Sequence, residues 1–360
     1  MGSDLRQNPI TGEWVFIATD RSKRPDQFEK KQREDKEPVL YDPKCPFCPG
    51  NEGMTPESDK HDKPFNSLLY YGNGNGGWVT RGFPNKFRFL SLEESLNRTS
   101  NNGYTVMGAR GAHEVIVETP THTGEVHELA LDFIVKMFRA YQERAADLRN
   151  DPFIKYISLW KNAGKAAGAS LSHPHSQLAA LPFNTDHNKK MLYGLKRWAD
   201  EHDDECGYCA IGEREIASGE RVISVNGDYV AYAPFWSESP FTVTILPRTH
   251  REYFEEVPLD EVVSFSEIVQ DVMGRISHVL DTPNYNWWVH NAPVNLNVDE
   301  DLRDDGEYHF QKNGLLFHWK FNIRPKLNIQ AGFEYGTHME INPTAPELAA
   351  QYLREKKREL

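Results

Sequence analysis

The two halves of the chain repeat one order of features, and this repeat constrains the fold more than any other property of the sequence. Each half carries a Cys-x-x-Cys turn, a strand followed by a histidine, a helix and a last strand with a second histidine. Apolar residues at helical spacing predict the helices over 125–149 and 259–280. We therefore expect an α+β fold of duplicated units, antiparallel sheets with helices packed on one face, divided into halves 1–190 and 191–360.

The composition is that of a folded, acidic protein. The chain has 360 residues, of which 39% are hydrophobic and 26% are charged, so it can bury a sizeable core. The net charge of −12 and the lack of a large basic cluster argue against a nucleic-acid partner. The N-terminal residues are polar, and no apolar run approaches the ~20 residues that a membrane helix needs. We expect a cytoplasmic protein with no membrane contact.

The four cysteines fall in two Cys-x-x-Cys pairs, and each pair has two histidines further along its half. Tetrahedral zinc takes four nitrogen or sulfur ligands, and one such turn supplies two of them. Two pairs in register, without an export signal, favour metal over disulfides. The alternative is a set of buried, reduced cysteines that pack as small apolar groups. The predicted zinc sites, two per chain, are Cys45, Cys48, His122 and His173, and Cys206, Cys209, His250 and His318.

The most specific motif is His173-Pro-His175-Ser-Gln177, in a segment that otherwise has the pattern of a strand. Alternate residues of a strand point to one face, so three polar side chains share one surface. If His173 binds the metal, His175 is held beside it as a nucleophile that can attack phosphorus. Gln177 can donate to a phosphoryl oxygen but cannot act as an acid or base. This favours transfer between phosphates over hydrolysis.

Two further comparisons within the sequence extend this hypothesis. Just before the motif, a glycine-rich turn could bind phosphate through its amides and hydroxyls. The second half has His318-Trp-Lys320-Phe-Asn322 at the corresponding place, so the metal position is kept and the nucleophile is not. The sequence therefore predicts one active site per chain, with the second half as support and substrate wall. The phosphate-binding candidates are Asn162, Gly164, Ser170 and Ser172.

Motifs across nearly the whole chain resemble the galactose-1-phosphate uridylyltransferases of the histidine-triad superfamily. No single motif except the histidine motif is decisive, but the ordered set is specific. The similar segments are Arg6-Gln-Asn-Pro-Ile-Thr-Gly-Glu-Trp-Val, Arg21-Ser-Lys-Arg24-Pro, Cys45-Pro-Phe-Cys48, Phe83-Pro-Asn85, His113-Glu-Val-Ile-Val, 162–177 and Ala331-Gly-Phe-Glu334.

The resemblance implies two histidine-triad-like halves and a ping-pong reaction. UDP-glucose gives its uridylyl group to His175, and galactose 1-phosphate then takes it. By matching position, Arg21 would contact phosphates, Asn85 the nucleoside and Glu334 the hexose hydroxyls. Arg24 and Phe333 are further predicted substrate-binding residues. The N-terminal half would hold the nucleophile and first zinc, and the C-terminal half the second metal and the sugar-binding segment. The family is typically dimeric, and a neighbouring subunit can contribute to the pocket.

Two departures leave the substrate and the second metal open. Some members bind iron through a glutamate and histidines in the second half, but here Asn322 and Arg324 stand where two of those histidines would be. The run from Ser170 to Gln177 also resembles the ADP-glucose phosphorylases, which implies an adenylyl group as the alternative. A third possibility, of another class, is a non-catalytic binding protein that zinc stabilises.

Overall fold

The computed structural model describes residues 2–19, 39–56, 64–281, 283–295 and 316–355. These residues form strands β1 (Asp4–Gln7), β2 (Trp14–Ile17), β3 (Leu69–Gly72), β4 (Trp78–Pro84), β5 (Thr99–Asn101), β6 (Tyr104–Val106), β7 (Ala112–Val117), β8 (Tyr156–Ala163), β9 (His175–Leu181), β10 (Val222–Val225), β11 (Tyr229–Tyr232), β12 (Val243–Pro247), β13 (Tyr285–His290), β14 (Lys320–Pro325) and β15 (Ile341–Asn342). They also form helices α1 (Leu131–Arg149), α2 (Asp186–Glu201), α3 (Gly207–Ser218), α4 (Leu259–Leu280), α5 (Gly332–Thr337) and α6 (Pro346–Glu355).

Ten of these strands form one sheet that runs through both halves of the chain. Its order is β10-β11-β12-β14-β13-β8-β9-β7-β4-β3, and every neighbouring pair is antiparallel. At the centre, β8 pairs with β13, and Trp160 lies opposite Trp288. The order of strands is therefore the same when it is read outward from this central pair in either direction. This arrangement confirms the predicted duplicated, antiparallel α+β fold.

The two long helices pack on one face of this sheet. α4 spans the residues predicted for it, and α1 begins at Leu131, after a one-turn 3-10 helix over Val126–Glu128. Their apolar side chains meet inward-facing residues of both halves, such as Leu178 and Ile323, in the largest core of the described residues. Burial of this apolar surface is the main force that holds the halves together.

The opposite face of the sheet carries two helices that the sequence analysis does not predict. α2 begins after Thr185, whose side chain accepts a hydrogen bond from the Asn188 amide, and α3 begins after Cys206. Met191, Leu195 and Trp198 of α2 are buried against the C-terminal half of the sheet. Their spacing of four and three residues is helical, so the sequence contained the signal for α2. The predicted boundary at residue 190 lies within this helix.

Smaller elements complete the described fold. A separate sheet is formed by β1, β2 and β15. In it β15 pairs in parallel with β2, and Ile341 lies opposite Phe16, so an N-terminal and a C-terminal segment share one sheet. Residues 73–77 connect β3 to β4. Every helix in the described ranges is too short or too polar to cross a membrane.

Candidate active site

Strand β9 places His175 and Gln177 on the face of the sheet opposite α1. The strand begins at His175, directly after Pro174, which has no amide hydrogen for the ladder. Alternate side chains of β9, including Leu178, enter the core on the other face. His175 and Gln177 line a cavity of about 370 Å³ together with Asn85 and Ser170. Four residues predicted for the site therefore meet in one cavity.

The backbone fixes the orientation of the His175 imidazole. Its Nδ1 atom lies 2.8 Å from the carbonyl oxygen of His173 and donates a hydrogen bond to it. The proton is therefore on Nδ1, and Nε2 keeps a free lone pair. Burial lowers the pKa of His175 below its usual value, and the charge of Lys161 lowers it further. The ring of Phe47 packs against it at 5.2 Å, so the His175 imidazole is neutral and held in one orientation.

Gln177 is oriented by a histidine that the sequence analysis does not assign to the site. His113 of β7 has its Nε2 atom 2.9 Å from Oε1 of Gln177, and Asn85 Nδ2 lies 3.4 Å from the same oxygen. Burial lowers the pKa of His113, so the ring is neutral and donates through Nε2. With its oxygen held, the Gln177 amide has its NH2 left available to the cavity. The alternation of β7 puts His113 on the face of Val115, and the pairing of Val115 with Gln177 brings the two side chains together.

A buried polar network supports the other face of β9. Glu118, which is 1% exposed, accepts hydrogen bonds from the Ser176 hydroxyl and from Tyr141, and it forms an ion pair with Lys161. Lys161 of β8 lies opposite Ser176 of β9. The network therefore joins the two strands directly behind His175.

The glycine-rich turn after β8 lies next to the site, and its backbone requires glycine at position 164. Gly164 has a φ of +82°, and a Cβ atom there would come within 1.6 Å of the Asn284 side-chain oxygen. Asn162 accepts a hydrogen bond of 2.8 Å from Asn286 through its side-chain oxygen. Ser170 lines the His175 cavity, whereas the Ser172 hydroxyl lies 3.3 Å from Nε2 of His122. The structure thus places Ser172 against a predicted metal ligand.

The first predicted metal set comes together as one cluster. Cys45, Cys48, His122 and His173 each offer a ligand atom, and all four atoms lie within 4.8 Å of one another. The Nε2–H group of His173 donates to the Thr119 carbonyl oxygen at 2.8 Å, which leaves Nδ1 facing both sulfur atoms at 3.6 Å. Burial lowers the pKa of His173 to about 4, so its imidazole is neutral, as a metal ligand must be.

The second predicted set forms a matching cluster in the C-terminal half. Cys206, Cys209, His250 and His318 also place their ligand atoms within 4.8 Å of one another. Cys209 Sγ lies 3.6 Å from Nδ1 of His250 and 3.5 Å from Nδ1 of His318. Two sulfurs and two imidazole nitrogens are a donor set that zinc takes in structural sites, so the residues of both clusters fit zinc.

The remaining predicted substrate residues lie apart from this cavity or outside the described residues. Glu334 accepts a hydrogen bond from the Ala331 amide at the start of α5, and Phe333 packs on Phe16 at 5.9 Å. Neither is among the described residues that line the cavity of His175. Arg21 and Arg24 lie outside the described residues.

The fold is thus a duplicated antiparallel sheet that carries a His-Pro-His motif beside a Cys/His cluster able to hold a metal ion. Residues 1–185 match the family model described as galactose-1-phosphate uridyl transferase, N-terminal domain. The chain therefore belongs to the galactose-1-phosphate uridyl transferase family and is a transferase.

Relatives along the full length support this assignment. The chain is 30% identical to an ADP-glucose phosphorylase of Arabidopsis thaliana, over 98% of this chain and 92% of the relative. It is also 30% identical to a galactose-1-phosphate uridylyltransferase of Thermotoga maritima, over 99% of both. A solved structure of the Arabidopsis phosphorylase with bound ADP-glucose has a TM-score of 0.77 and 26% identity, covering 99% of each chain. A solved uridylyltransferase structure has a TM-score of 0.70 and 26% identity, covering 98% and 97%.

Proposed function

We propose that the enzyme transfers UMP from UDP-glucose to galactose 1-phosphate through a covalent uridylyl group on His175. The observation that carries this proposal is the hydrogen bond from Nδ1 of His175 to the His173 carbonyl, which leaves Nε2 free beside Gln177 in the cavity. In the first step Nε2 attacks the α-phosphorus, the bond to the bridging oxygen breaks, and glucose 1-phosphate leaves. In the second step a phosphate oxygen of galactose 1-phosphate attacks, and the Nε2–P bond breaks.

Neither step needs a general acid. The leaving group and the acceptor are both phosphate oxygens, which are stable as anions, so no proton has to move with the uridylyl group. The Nδ1–H bond to the His173 carbonyl is kept throughout, and it stabilises the positive imidazole of the intermediate. Gln177 donates to the phosphoryl oxygens through its NH2, because His113 and Asn85 hold its oxygen. A glutamine suits this exchange, since it cannot deliver the proton that an alkoxide leaving group needs.

Two zinc ions would be held by the two clusters, and their role is structural. Each cluster offers four protein ligands, which leaves no open position of the kind that catalytic zinc keeps. At the first cluster the ion would lock His173, and with it the carbonyl that orients His175. Paired reduced cysteines suit a reducing compartment, and we place the enzyme in the cytoplasm.

The other predicted residues would complete the substrate site. Ser170, Asn162 and the amides around Gly164 would contact phosphate, together with Ser172, Arg21 and Arg24. Asn85 would contact the nucleoside. Phe333 and Glu334 would reach the hexose from a neighbouring subunit of a homodimer, since their own chain places them on α5, away from the cavity.

The test is a mass measurement of the covalent intermediate. The protein is incubated separately with UDP-glucose, UDP-galactose and ADP-glucose, and its intact mass is recorded without acid, which would cleave a phosphoramidate. We expect a uridylyl adduct from the UDP sugars and none with His175→Ala. A folded, metal-loaded wild-type enzyme that forms no adduct and exchanges no hexose 1-phosphate would overturn the proposal and leave a zinc-stabilised binding protein.

One specific observation favours a second candidate, adenylyl transfer with phosphate as the acceptor. The Arabidopsis relative named ADP-glucose phosphorylase matches this chain at 30% identity, and its ADP-glucose-bound structure covers 99% of it. The same experiment separates the two, because an adenylyl adduct has a different mass from a uridylyl adduct. Adduct formation from ADP-glucose alone would replace uridylyl transfer by this second function.

A further inference from the structure

A second cavity in the C-terminal half lies where the duplication places the counterpart of the active site. It encloses about 140 Å³, and its lining includes Lys320, Asn322 and Trp288. Lys320 and Asn322 lie two and four residues after the metal-cluster residue His318, as His175 and Gln177 do after His173. Nothing in the proposed transfer reaction uses this cavity.

The strand register gives the same correspondence independently of the sequence. Gln177 lies opposite Trp160 in the β8–β9 pair, and Asn322 lies opposite Trp288 in the β13–β14 pair. Trp160 and Trp288 in turn face each other across the central β8–β13 pair. Asn322 is therefore the structural counterpart of Gln177, and Lys320, two residues earlier on its strand, is the counterpart of His175.

Lys320 brings a buried amino group to this cavity with no carboxylate in direct contact. Burial lowers its pKa to about 7, against the attraction of the more distant Glu238 and Glu13. The residue is 9% exposed, and its ammonium donates to the Tyr208 hydroxyl and lies 3.9 Å from the centre of that ring. Among the described residues no carboxylate oxygen lies within 4.0 Å of it. A hydroxyl and a ring face do not replace a counter-ion, so a buried ammonium of this kind favours an anion beside it.

The carboxylates that line the cavity are already occupied by other cations. Glu13 accepts a hydrogen bond of 2.9 Å from Lys190. Glu238 accepts one of 3.3 Å from Arg324. Arg324 also lies 3.5 Å from Glu340, so it serves two carboxylates. Both carboxylates of the lining thus have another cation in direct contact, whereas Lys320 contacts the Tyr208 hydroxyl.

Asn322 presents a donor to the same space. The Thr244 hydroxyl donates to Oδ1 of Asn322 at 3.0 Å, which fixes the oxygen of the amide and leaves its NH2 available to a ligand. This repeats the arrangement at Gln177, where His113 holds the amide oxygen. In both halves a neighbouring donor holds the oxygen of an amide and leaves its NH2 available, although only the first half has the nucleophile.

We propose that this cavity is a second ligand site that binds a small tetrahedral oxyanion of the phosphate class between the Lys320 ammonium and the Asn322 amide. The ligand is smaller than a nucleotide sugar, since the cavity has about 140 Å³ against about 370 Å³ at His175. The site binds and does not transfer, because a lysine and an asparagine stand in place of the nucleophilic histidine and its glutamine. The proposal is the same whether the first site transfers a uridylyl or an adenylyl group.

The test is calorimetric titration of the full-length, zinc-loaded protein with inorganic phosphate. Asn322→Asp is the key variant, because its carboxylate gives Lys320 an internal counter-ion and repels the ligand while keeping the side-chain shape. We expect at least a tenfold loss of phosphate affinity with Asn322→Asp and with Lys320→Met. Gln177→Glu is the matched control at the duplicated position, and it should keep this binding. Lys136→Met on α1, a surface lysine paired with Asp132, should keep it too.

The outcome separates the two cavities. Phosphate should raise the unfolding temperature of the wild type but not of Asn322→Asp, which must itself unfold cooperatively. Phosphate binding that survives in both Lys320→Met and Asn322→Asp would overturn the proposal. So would binding that is lost in Gln177→Glu and kept in Asn322→Asp, because the anion would then lie at the active site.

Discussion

The Nε2 atom of His113 lies 2.9 Å from Oε1 of Gln177, across the pairing of β7 with β9. The ring of His113 is held in turn by Phe89 at 4.3 Å and by Trp160 at 5.9 Å. Since burial keeps this histidine neutral, it has one proton for Nε2, and that proton fixes which end of the Gln177 amide faces the substrate. In the proposed reaction, His113 would therefore be a positioning residue that acts through Gln177.

The first prediction follows from this contact. His113→Phe keeps the ring packing but removes the donor, so the Gln177 amide can rotate. We expect adduct formation on His175 to slow about tenfold, the effect of losing one neutral hydrogen bond of about 1.4 kcal/mol. Stopped reactions followed by intact mass give the rate.

A double variant tests whether His113 affects the rate of adduct formation only through the Gln177 amide. Once Gln177→Ala has removed the amide, adding His113→Phe should cause no further loss of rate. If the two losses multiply instead, His113 acts in some other way. KM for the nucleotide sugar should change less than the rate, because the amide contacts the phosphoryl group most strongly in the transition state.

Sequence alone predicted those parts of the site that depend on local spacing. The residues of both metal clusters and the bounds of helix α4 follow from local spacing and residue order. The assignment of His175 as the single nucleophile, from its comparison with Lys320, stays a prediction. His113 was missed because its role depends on the register between β7 and β9, which joins residues 64 positions apart. The sharing of one sheet by both halves was missed for the same reason. It rests on the pairing of Trp160 with Trp288, which no local pattern encodes.

The second prediction concerns the two metal clusters. Cys48 lies 3.6 Å from Nδ1 of His173, the residue whose carbonyl orients His175. Cys48→Ser should therefore lower zinc from two ions to one per chain and slow adduct formation about 10- to 100-fold. Cys209→Ser should lower zinc equally but slow adduct formation less, since its cluster adjoins Lys320. Elemental analysis and intact mass on the same samples measure both quantities. Equal losses of rate in the two variants would contradict a special link between the first zinc and His175.

The third prediction is a dependence of stability on pH through His290. Its Nε2–H group donates to Asn188 at 2.8 Å, and burial lowers its pKa well below the usual value, helped by the charges of Lys320 and His187. The unfolded chain takes up a proton near pH 6.5, whereas the folded chain resists it. The contribution of His290 to the free energy of unfolding is thus fully present above pH 6.5. It is lost as the pH falls below that value, by up to about 1.4 kcal/mol per pH unit.

The variant His290→Gln isolates this contribution. Its amide can still donate to Asn188 but does not titrate. Urea unfolding at pH 7.5 and at pH 5.5 should show a smaller loss of stability for the variant than for the wild type. Parallel losses in the two proteins would show that His290 is not the group responsible.

The last prediction tests the ion pair behind the active-site strands. Arg144 of α1 donates to both carboxylate oxygens of Glu114 on β7, each at 2.7 Å, and both side chains are about 5% exposed. Arg144→Met removes the guanidinium and leaves a buried carboxylate without a partner. We expect the free energy of unfolding to fall by about 3–5 kcal/mol. Arg139→Met, at a half-exposed ion pair of 3.7 Å on the same helix, should cost about 0.5 kcal/mol or less.

The double variant Glu114→Leu with Arg144→Met separates two contributions to the free energy of unfolding. One is the stabilisation by the ion pair, and the other is the cost of a buried charge without a partner. Two apolar side chains leave no buried charge, so the double variant should be more stable than Arg144→Met alone, although it lacks the whole ion pair. If it is instead the least stable of the three, the pair itself stabilises the fold. Glu114 is adjacent to His113. Adduct formation by the same proteins therefore shows whether this ion pair also helps to position Gln177. A double variant that unfolds like the wild type but forms the adduct more slowly would assign that role to it.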